Sequence, residues 1–242
     1  MTIDENLDRY AAAYEPDFAY ALDNDLILNW YPHRIVAQAS GESLLELGVG
    51  HGYSTQIFNR HFSRHVILDG SPKIIAAFHH RNPGLSVEII EAYFESFDTQ
   101  EKFDVICMGF VLEHVDDPAF ILRHYLDFLK PDGKLFVTVP NAESMHRRIG
   151  QAAGLLGDMF ALGDGDRQLG HKNLFSVASL TRMVEDCGYA VTGMEGLFFK
   201  PFTTGQIRKL DLSPSILEGM MKVGVQYPEL CCAIMAQLRR AT

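Results

Sequence analysis

Cysteine is scarce in this chain of 242 residues. The four present, Cys107, Cys187, Cys231 and Cys232, form no C-x-x-C and no paired Cys/His spacing, so neither a zinc ribbon nor a disulfide framework organises the fold. Free, buried thiols in a reducing compartment are expected instead. Long apolar runs are missing too: no stretch approaches the eighteen or so residues of a membrane span, and Met1 to Asn6 carry neither a basic nor an apolar leader region. A soluble, cytoplasmic protein is expected. Positive charge is the third shortage. With 21 Lys and Arg against 31 Asp and Glu the net charge is −10, a field that repels a phosphate backbone, and nucleic acid is not an expected partner. No internal repeat or low-complexity tract is found. What the chain does have is 47% hydrophobic residues, enough at this length for one sizeable core.

The most informative run is Leu44-Leu45-Glu46-Leu47-Gly48-Val49-Gly50-His51-Gly52, with Asp69 ending a second apolar run. A buried strand opening into glycines, followed by a carboxylate on the next strand, is an arrangement that cradles a nucleotide. The spacing narrows the nucleotide. A dinucleotide fingerprint would need glycine where Tyr53 stands, and a P-loop would need Gly-Lys-Ser/Thr, which is absent.

Periodicity predicts a helix over 23–39, strand 43–47, helix 53–61, a strand over 65–68 ending at Asp69, and a helix begun by Ser71-Pro72 as N-cap and N1. That helix stops at Asn82-Pro83-Gly84. Strands follow at 85–90 and 103–108, then a helix over 118–129, a turn at 130–133 and strand 134–139. Residues 141–172, rich in glycine, read as a mobile insertion. Helix 177–187 is capped by Ser176, strands 189–194 and 231–238 close the pattern, and 196–229 reads as a second irregular insertion. Repeated βαβ units of this kind make a parallel sheet covered on both faces.

Over about residues 40–195 the chain resembles the class I S-adenosylmethionine-dependent methyltransferases. Glu46 to Gly52 resembles their first motif. Phe103-Asp104-Val105-Ile106 through Leu112-Glu113-His114-Val115, the turn Leu129 to Lys134, and Gly170-His171-Lys172-Asn173-Leu174-Phe175-Ser176 resemble the subgroup that includes ubiquinone-biosynthesis and small-molecule O-methyltransferases. The resemblance implies an α/β, Rossmann-like seven-stranded sheet, mostly parallel, with helices on both faces and the last strand antiparallel. It implies S-adenosylmethionine as cofactor, with S-adenosylhomocysteine as product. Glu46, Gly48, Gly50 and Gly52 would hold its methionine end, and Asp69, with Gly70 and Ser71, the ribose hydroxyls. Glu91, Ala92 and Tyr93 would meet the adenine, and Met108 and Gly109 would offer carbonyls to the amino group. Tyr14, with Tyr10 and Tyr20, would close over the cofactor.

Methyl transfer from a sulfonium is an in-line displacement, so the acceptor must be aligned and water excluded. A hydroxyl acceptor also needs a base near neutral pKa, for which His114, His146 and His171 are candidates, His114 foremost by position. Glu113 and His114 by themselves would hold a divalent cation weakly, so no required metal is expected. One domain is expected over 1–242, with 141–172 and 196–229 as insertions forming an acceptor lid. Met159, Phe160, Phe198, Phe199, Phe202, Met220 and Met221 would give that lid an apolar lining, and Arg147 and Arg148 are candidates to bind an anionic group of the acceptor. The expected activity is methylation of a small molecule at a hydroxyl of a quinone precursor, sugar or natural-product scaffold. N-methylation of an amino sugar or small amine, and a cofactor-binding partner subunit without catalysis, stay open at this level.

Overall fold

The computed structural model describes Leu7 and residues 20–241. Its elements in chain order are α1 (Ala21–Gln38), β1 (Ser43–Leu47), α2 (Tyr53–Asn59), β2 (Arg64–Asp69), α3 (Pro72–Arg81), β3 (Glu88–Glu91), β4 (Phe103–Gly109) and α4 (Pro118–Leu126). There follow β5 (Leu129–Pro140), α5 (Met145–Ala152), α6 (Asp164–Leu169), α7 (Val177–Asp186), β6 (Tyr189–Leu197), α8 (Thr204–Lys209), α9 (Pro214–Gly224) and β7 (Ala233–Arg240). The seven strands form one sheet in the order β3-β2-β1-β4-β5-β7-β6. Strands β1 to β5 pair in parallel, and β7 is antiparallel to both β5 and β6. This is the sheet expected from the sequence, including its antiparallel last strand.

Alternation along the strands explains the two layers of core. Leu45 and Leu47 of β1, with Ile106 and Met108 of β4, pack against Ile121, Leu122 and Tyr125 of α4 and Leu180 and Val184 of α7. Leu44, Val105 and Cys107 point the other way, onto Ile27, Tyr31 and Ile35 of α1 and Phe58 of α2. A strand buried on both faces therefore reads as a continuous apolar run, as Leu44-Leu45 and Val105 to Met108 do. Ile74 and Phe78 of α3 cover Val49 and Ile67 in a third, smaller cluster. Each of these side chains contributes roughly 1.5–3 kcal/mol of burial.

The segments read from sequence as irregular insertions contain four helices. α5 and α6 lie within 141–172, and α8 and α9 within 196–229. Their start signals are local and polar: Thr203 accepts from Gln206 N while Gln206 reaches back to Thr203 N, and Pro214 occupies the first turn of α9. α5 and α6 bury no residue and α8 and α9 bury two each, so there is little apolar stripe to read, and the glycine density around α5 and α6 masked the rest. Two smaller differences concern strands. β3 begins at Glu88, Leu85 and Val87 instead packing beside α3, and the turn at Lys130–Gly133 is a bulge within β5.

Candidate active site

The carboxyl ends of β1, β2 and β4 meet at one edge of the sheet, where ligands bind in open α/β sheets. Between β1 and α2, Gly48, Gly50 and Gly52 adopt φ values of 81°, 48° and 81°, the left-handed region that L side chains rarely enter. Gly52 also packs against α3, since a Cβ there would lie 2.7 Å from Phe78 Cδ2. Gly48 has open space, its nearest neighbour being Phe94 Cζ at 4.0 Å. The loop is thus fixed at its exit and clear at its entrance.

Two carboxylates hold the loop in that shape. Glu46 is 2% exposed, and its oxygens accept from Ser54 Oγ in a short bond, from Thr55 Oγ1 at 2.9 Å and from His65 Nε2 at 3.0 Å. Both oxygens are engaged by α2 and β2, so Glu46 supports the loop from within. At the end of β2, Asp69 Oδ2 accepts from Val49 N at 2.9 Å and Oδ1 from Ser71 N at 2.9 Å. Burial raises its pKa, and the N–H groups of Ser71, Val49 and Gly50 oppose that shift. Ser71 Oγ caps α3 by accepting from Ile74 N, and a Cβ on Gly70 would press on Leu7 and the Tyr93 ring at 3.0 and 3.4 Å. Ser71 is therefore a helix cap first.

Glu91 stands beside Asp69 in the β2–β3 register and is exposed. The Ala92 N–H, expected to face the adenine ring, instead donates to the Asp69 carbonyl at 3.2 Å. Tyr93 is half-buried. Tyr10 and Tyr14 lie outside the described residues, and Tyr20 precedes α1. At the end of β4, Met108 is fully buried and Gly109 is held against the Tyr31 hydroxyl so closely that any Cβ would overlap it. Glycine is required there by α1, not by a turn.

Beyond β4 the fold joins three residues that are far apart in sequence. Ligand atoms of Glu113, His114 and His171 all lie within 4.8 Å of one another, and the two imidazoles meet edge to face with centroids 5.0 Å apart. Segment 170–173 is laced onto 112–116. Lys172 N and Asn173 N donate to the Glu113 carbonyl at 2.7 and 3.1 Å, Asn173 Nδ2 donates to the Leu112 and Val115 carbonyls, and Lys172 pairs with Asp116 at 2.6 Å. His171 Nδ1 contacts Asp166 Oδ1 at 3.1 Å, and His114 Nδ1 faces the Gly170 carbonyl at 3.4 Å. The Glu113 side chain is buried with no hydrogen-bond partner on either oxygen. Burial pushes its pKa up to about 7, His171 opposing, and burial with His171 nearby lowers that of His114 to about 4. Adjacency in sequence joins two of these residues, and only the fold brings the third to them.

His146 is placed apart from that trio, on α5. Its Nδ1 pairs with Ser144 Oγ at 3.2 Å, and burial, with Lys200 and Arg147 nearby, lowers its pKa to about 3. The arginines beside it serve the insertion itself. Arg147 donates to the carbonyls of Ala142 and Met159, and Arg148 to the Glu143 carbonyl, so part of each guanidinium is spent within the insertion. Of the apolar residues assigned to a lid, Phe198 and Met221 belong to the core under α1, whereas Phe160 and Phe202 are exposed. The sequence reading missed a buried ion pair: Lys200 Nζ bonds Asp23 Oδ2, and Thr204 Oγ1 bridges both at 2.9 and 2.8 Å. No local signal marks partners 177 residues apart. Among the described residues no helix is long and apolar enough to cross a membrane.

Residues 24–193 match the family model described as a methyltransferase domain. The chain is similar to the ubiquinone biosynthesis O-methyltransferase of Aeromonas salmonicida, 27% identical over 168 residues that cover 67% of this chain and 69% of that protein. Among solved structures it resembles the N-methyltransferase NodS of Bradyrhizobium japonicum in complex with S-adenosylhomocysteine, with a TM-score of 0.62, 14% identity and coverage of 99% and 100%. It also resembles an S-adenosylmethionine-dependent methyltransferase of Mesorhizobium loti, with a TM-score of 0.61, 18% identity and coverage of 89% and 99%. At those identities the two structures speak for the fold.

Proposed function

The chain belongs to the methyltransferase-domain family and is a class I S-adenosylmethionine-dependent methyltransferase, and from that premise we propose that it methylates a hydroxyl oxygen of a small-molecule acceptor. S-adenosylmethionine supplies an electrophilic methyl group on a sulfonium. The residues fit such a cofactor: three left-handed glycines leave the backbone open above Gly48, beside a carboxylate at the end of β2. We assign Gly48, Gly50 and Gly52 to its methionine end and Asp69 to the ribose diol, since each of its oxygens accepts one backbone N–H and keeps a second lone pair for a hydroxyl. Glu91 and Tyr93 are assigned to the adenine side, and the Met108 and Gly109 carbonyls to the amino group. Glu46, Gly70, Ser71 and Ala92 are positioning residues in this assignment, because their polar groups already bond within the protein or, at Gly70, because space alone is at issue.

The observation that carries the hydroxyl reading is the orientation of His114: Nδ1 is turned to the Gly170 carbonyl at 3.4 Å, which leaves Nε2 to accept a proton. Burial lowers its pKa to about 4 in this form, which keeps the imidazole neutral and works against its strength as a base. We assign His114 as the base, with His171 and Glu113 beside it. We assign the segments 141–172 and 196–229 to covering the acceptor, with His146 of the first lying near Lys200 of the second. A panel of phenols, sugars and amines, each assayed with wild type and His114→Ala, tests this. The hydroxyl reading expects turnover of a hydroxyl acceptor and a kcat loss of about 10²–10⁴-fold in the variant, at unchanged cofactor KM. Turnover of amines alone, with kcat little changed in the variant, would overturn it.

A further inference from the structure

The two oxygens of Asp23 are treated unequally. Lys200 Nζ and Thr204 Oγ1 both donate to Oδ2, the second at 2.8 Å, while Oδ1 is buried without a hydrogen-bond partner. A buried acceptor in that state lacks a donor that the folded chain does not supply. The deficit is not one of charge, because Lys200, 2% exposed, already pairs with the carboxylate. Nor does Lys200 have a proton to spare. Its ammonium has three, and it faces Asp23, Thr204 Oγ1 at 2.9 Å and the Cys232 thiol, which lies within hydrogen-bonding reach. His146, kept uncharged by burial with Lys200 beside it, brings no charge of its own. What is missing is one uncharged donor.

The position of this oxygen indicates what brings the donor. Asp23 lies in the first turn of α1, and eight residues further on Tyr31 is packed against Gly109 at the end of β4. At 1.5 Å per residue the first turn therefore reaches about 12 Å past Tyr31, out over the carboxyl edge of the sheet. Cys232 joins the ends of β5 and β6 there, its carbonyl accepting from Asn141 N at 2.8 Å and its N–H donating to the Phe198 carbonyl at 3.1 Å. Phe110 and Phe198, which follow β4 and β6, hold φ values of 58° and 59°, backbone strain of the kind that collects at ligand sites.

We propose that Asp23 determines acceptor specificity: Oδ1 accepts a hydrogen bond from an uncharged hydroxyl or amide N–H that the acceptor carries away from its methylated atom. Charged groups are turned away from both sides. A carboxylate would meet Oδ1, and an ammonium would meet Lys200. This role rests on the assignment of both insertions to covering the acceptor, but not on whether oxygen or nitrogen is methylated.

The experiment is a calorimetric titration of the full-length protein, saturated with S-adenosylhomocysteine, with para-substituted phenols and anilines. Their tails, about two to six carbons long, end in hydroxyl, methyl, carboxylate or ammonium. At a given length the hydroxyl tail should bind at least tenfold more tightly than the other three, since they leave Oδ1 unpaired or add a charge. In Asp23→Asn, where Lys200 keeps its charge, the carboxylate tail should overtake the hydroxyl tail. That reversal should vanish in Asp23→Asn/Lys200→Met, which removes both charges. Melting and S-adenosylhomocysteine binding establish that each variant is folded. Equal affinity for all tails in wild type, no binding of any of them, or an unchanged ranking in folded Asp23→Asn would overturn the proposal. If Asp23→Asn does not fold, a carboxylate preference in the double variant overturns it instead. Which head is turned over with S-adenosylmethionine decides the hydroxyl reading and leaves the tail ranking untouched, so the two fail separately.

Discussion

Gly52 meets two demands at one position, a left-handed φ of 81° and a helix packed 2.7 Å from where its Cβ would be. Gly52→Ala should therefore lose about 2–4 kcal/mol, the sum of backbone strain and overpacking against Phe78, measured by urea unfolding. Gly48→Ala carries the strain without the clash and should cost about 1–2 kcal/mol. Residues of this kind were legible before the fold was known, because alternating glycines after an apolar run have few other uses. Glu46 was not. Its place in the motif suggested a ligand contact, yet Ser54, Thr55 and His65 take its oxygens, partners that only the α2 turn and the β1–β2 pairing bring near.

At the scale of elements, the start of β4 is tied to β1 by a single carboxylate. Asp104 Oδ2 accepts from Glu42 N, Ser43 N and Ser43 Oγ at 3.0, 3.0 and 2.7 Å, and pairs with Lys130 in the β5 bulge at 2.9 Å. Burial works against its charge, but Lys130 and these donors outweigh it and bring the pKa to about 2. A folded pKa below the unfolded value of about 3.9 means that stability is fully present above pH 4 or so and is lost as pH falls towards 2. The stability gap between wild type and Asp104→Asn, read from urea midpoints, should be widest near neutrality and shrink between about pH 4 and 2. A gap unchanged over that range would contradict the assignment. Strands β1, β2 and β4 and helices α3 and α7 were readable from apolar runs and from Ser-Pro and Ser caps. The insertion helices were not, since so few of their side chains are buried that no apolar repeat marks them.

Across the whole molecule, α1 is joined to the second insertion by the buried pair Asp23–Lys200, whose side chains are 12% and 2% exposed. Removing one partner of a buried pair strands the other charge, so Lys200→Ala should lose about 3–5 kcal/mol by urea unfolding, and the double variant Asp23→Asn/Lys200→Met should recover much of it. An equal loss in both would mean that packing, not charge, carries the contact. Parallel pairing of the early strands followed from the alternation of helix and strand, and the antiparallel last strand from the family resemblance, but contacts between residues more than a hundred apart, such as this pair, carry no sequence signal.

The central claim is that the glycine loop and Asp69 form the methyl-donor site. Titration of S-adenosylhomocysteine into wild type and Asp69→Asn, each verified as folded by its melting transition, tests it most directly. Wild type should bind one equivalent, and the variant at least tenfold more weakly. Equal affinity in the two proteins, or no binding by wild type, would contradict the account.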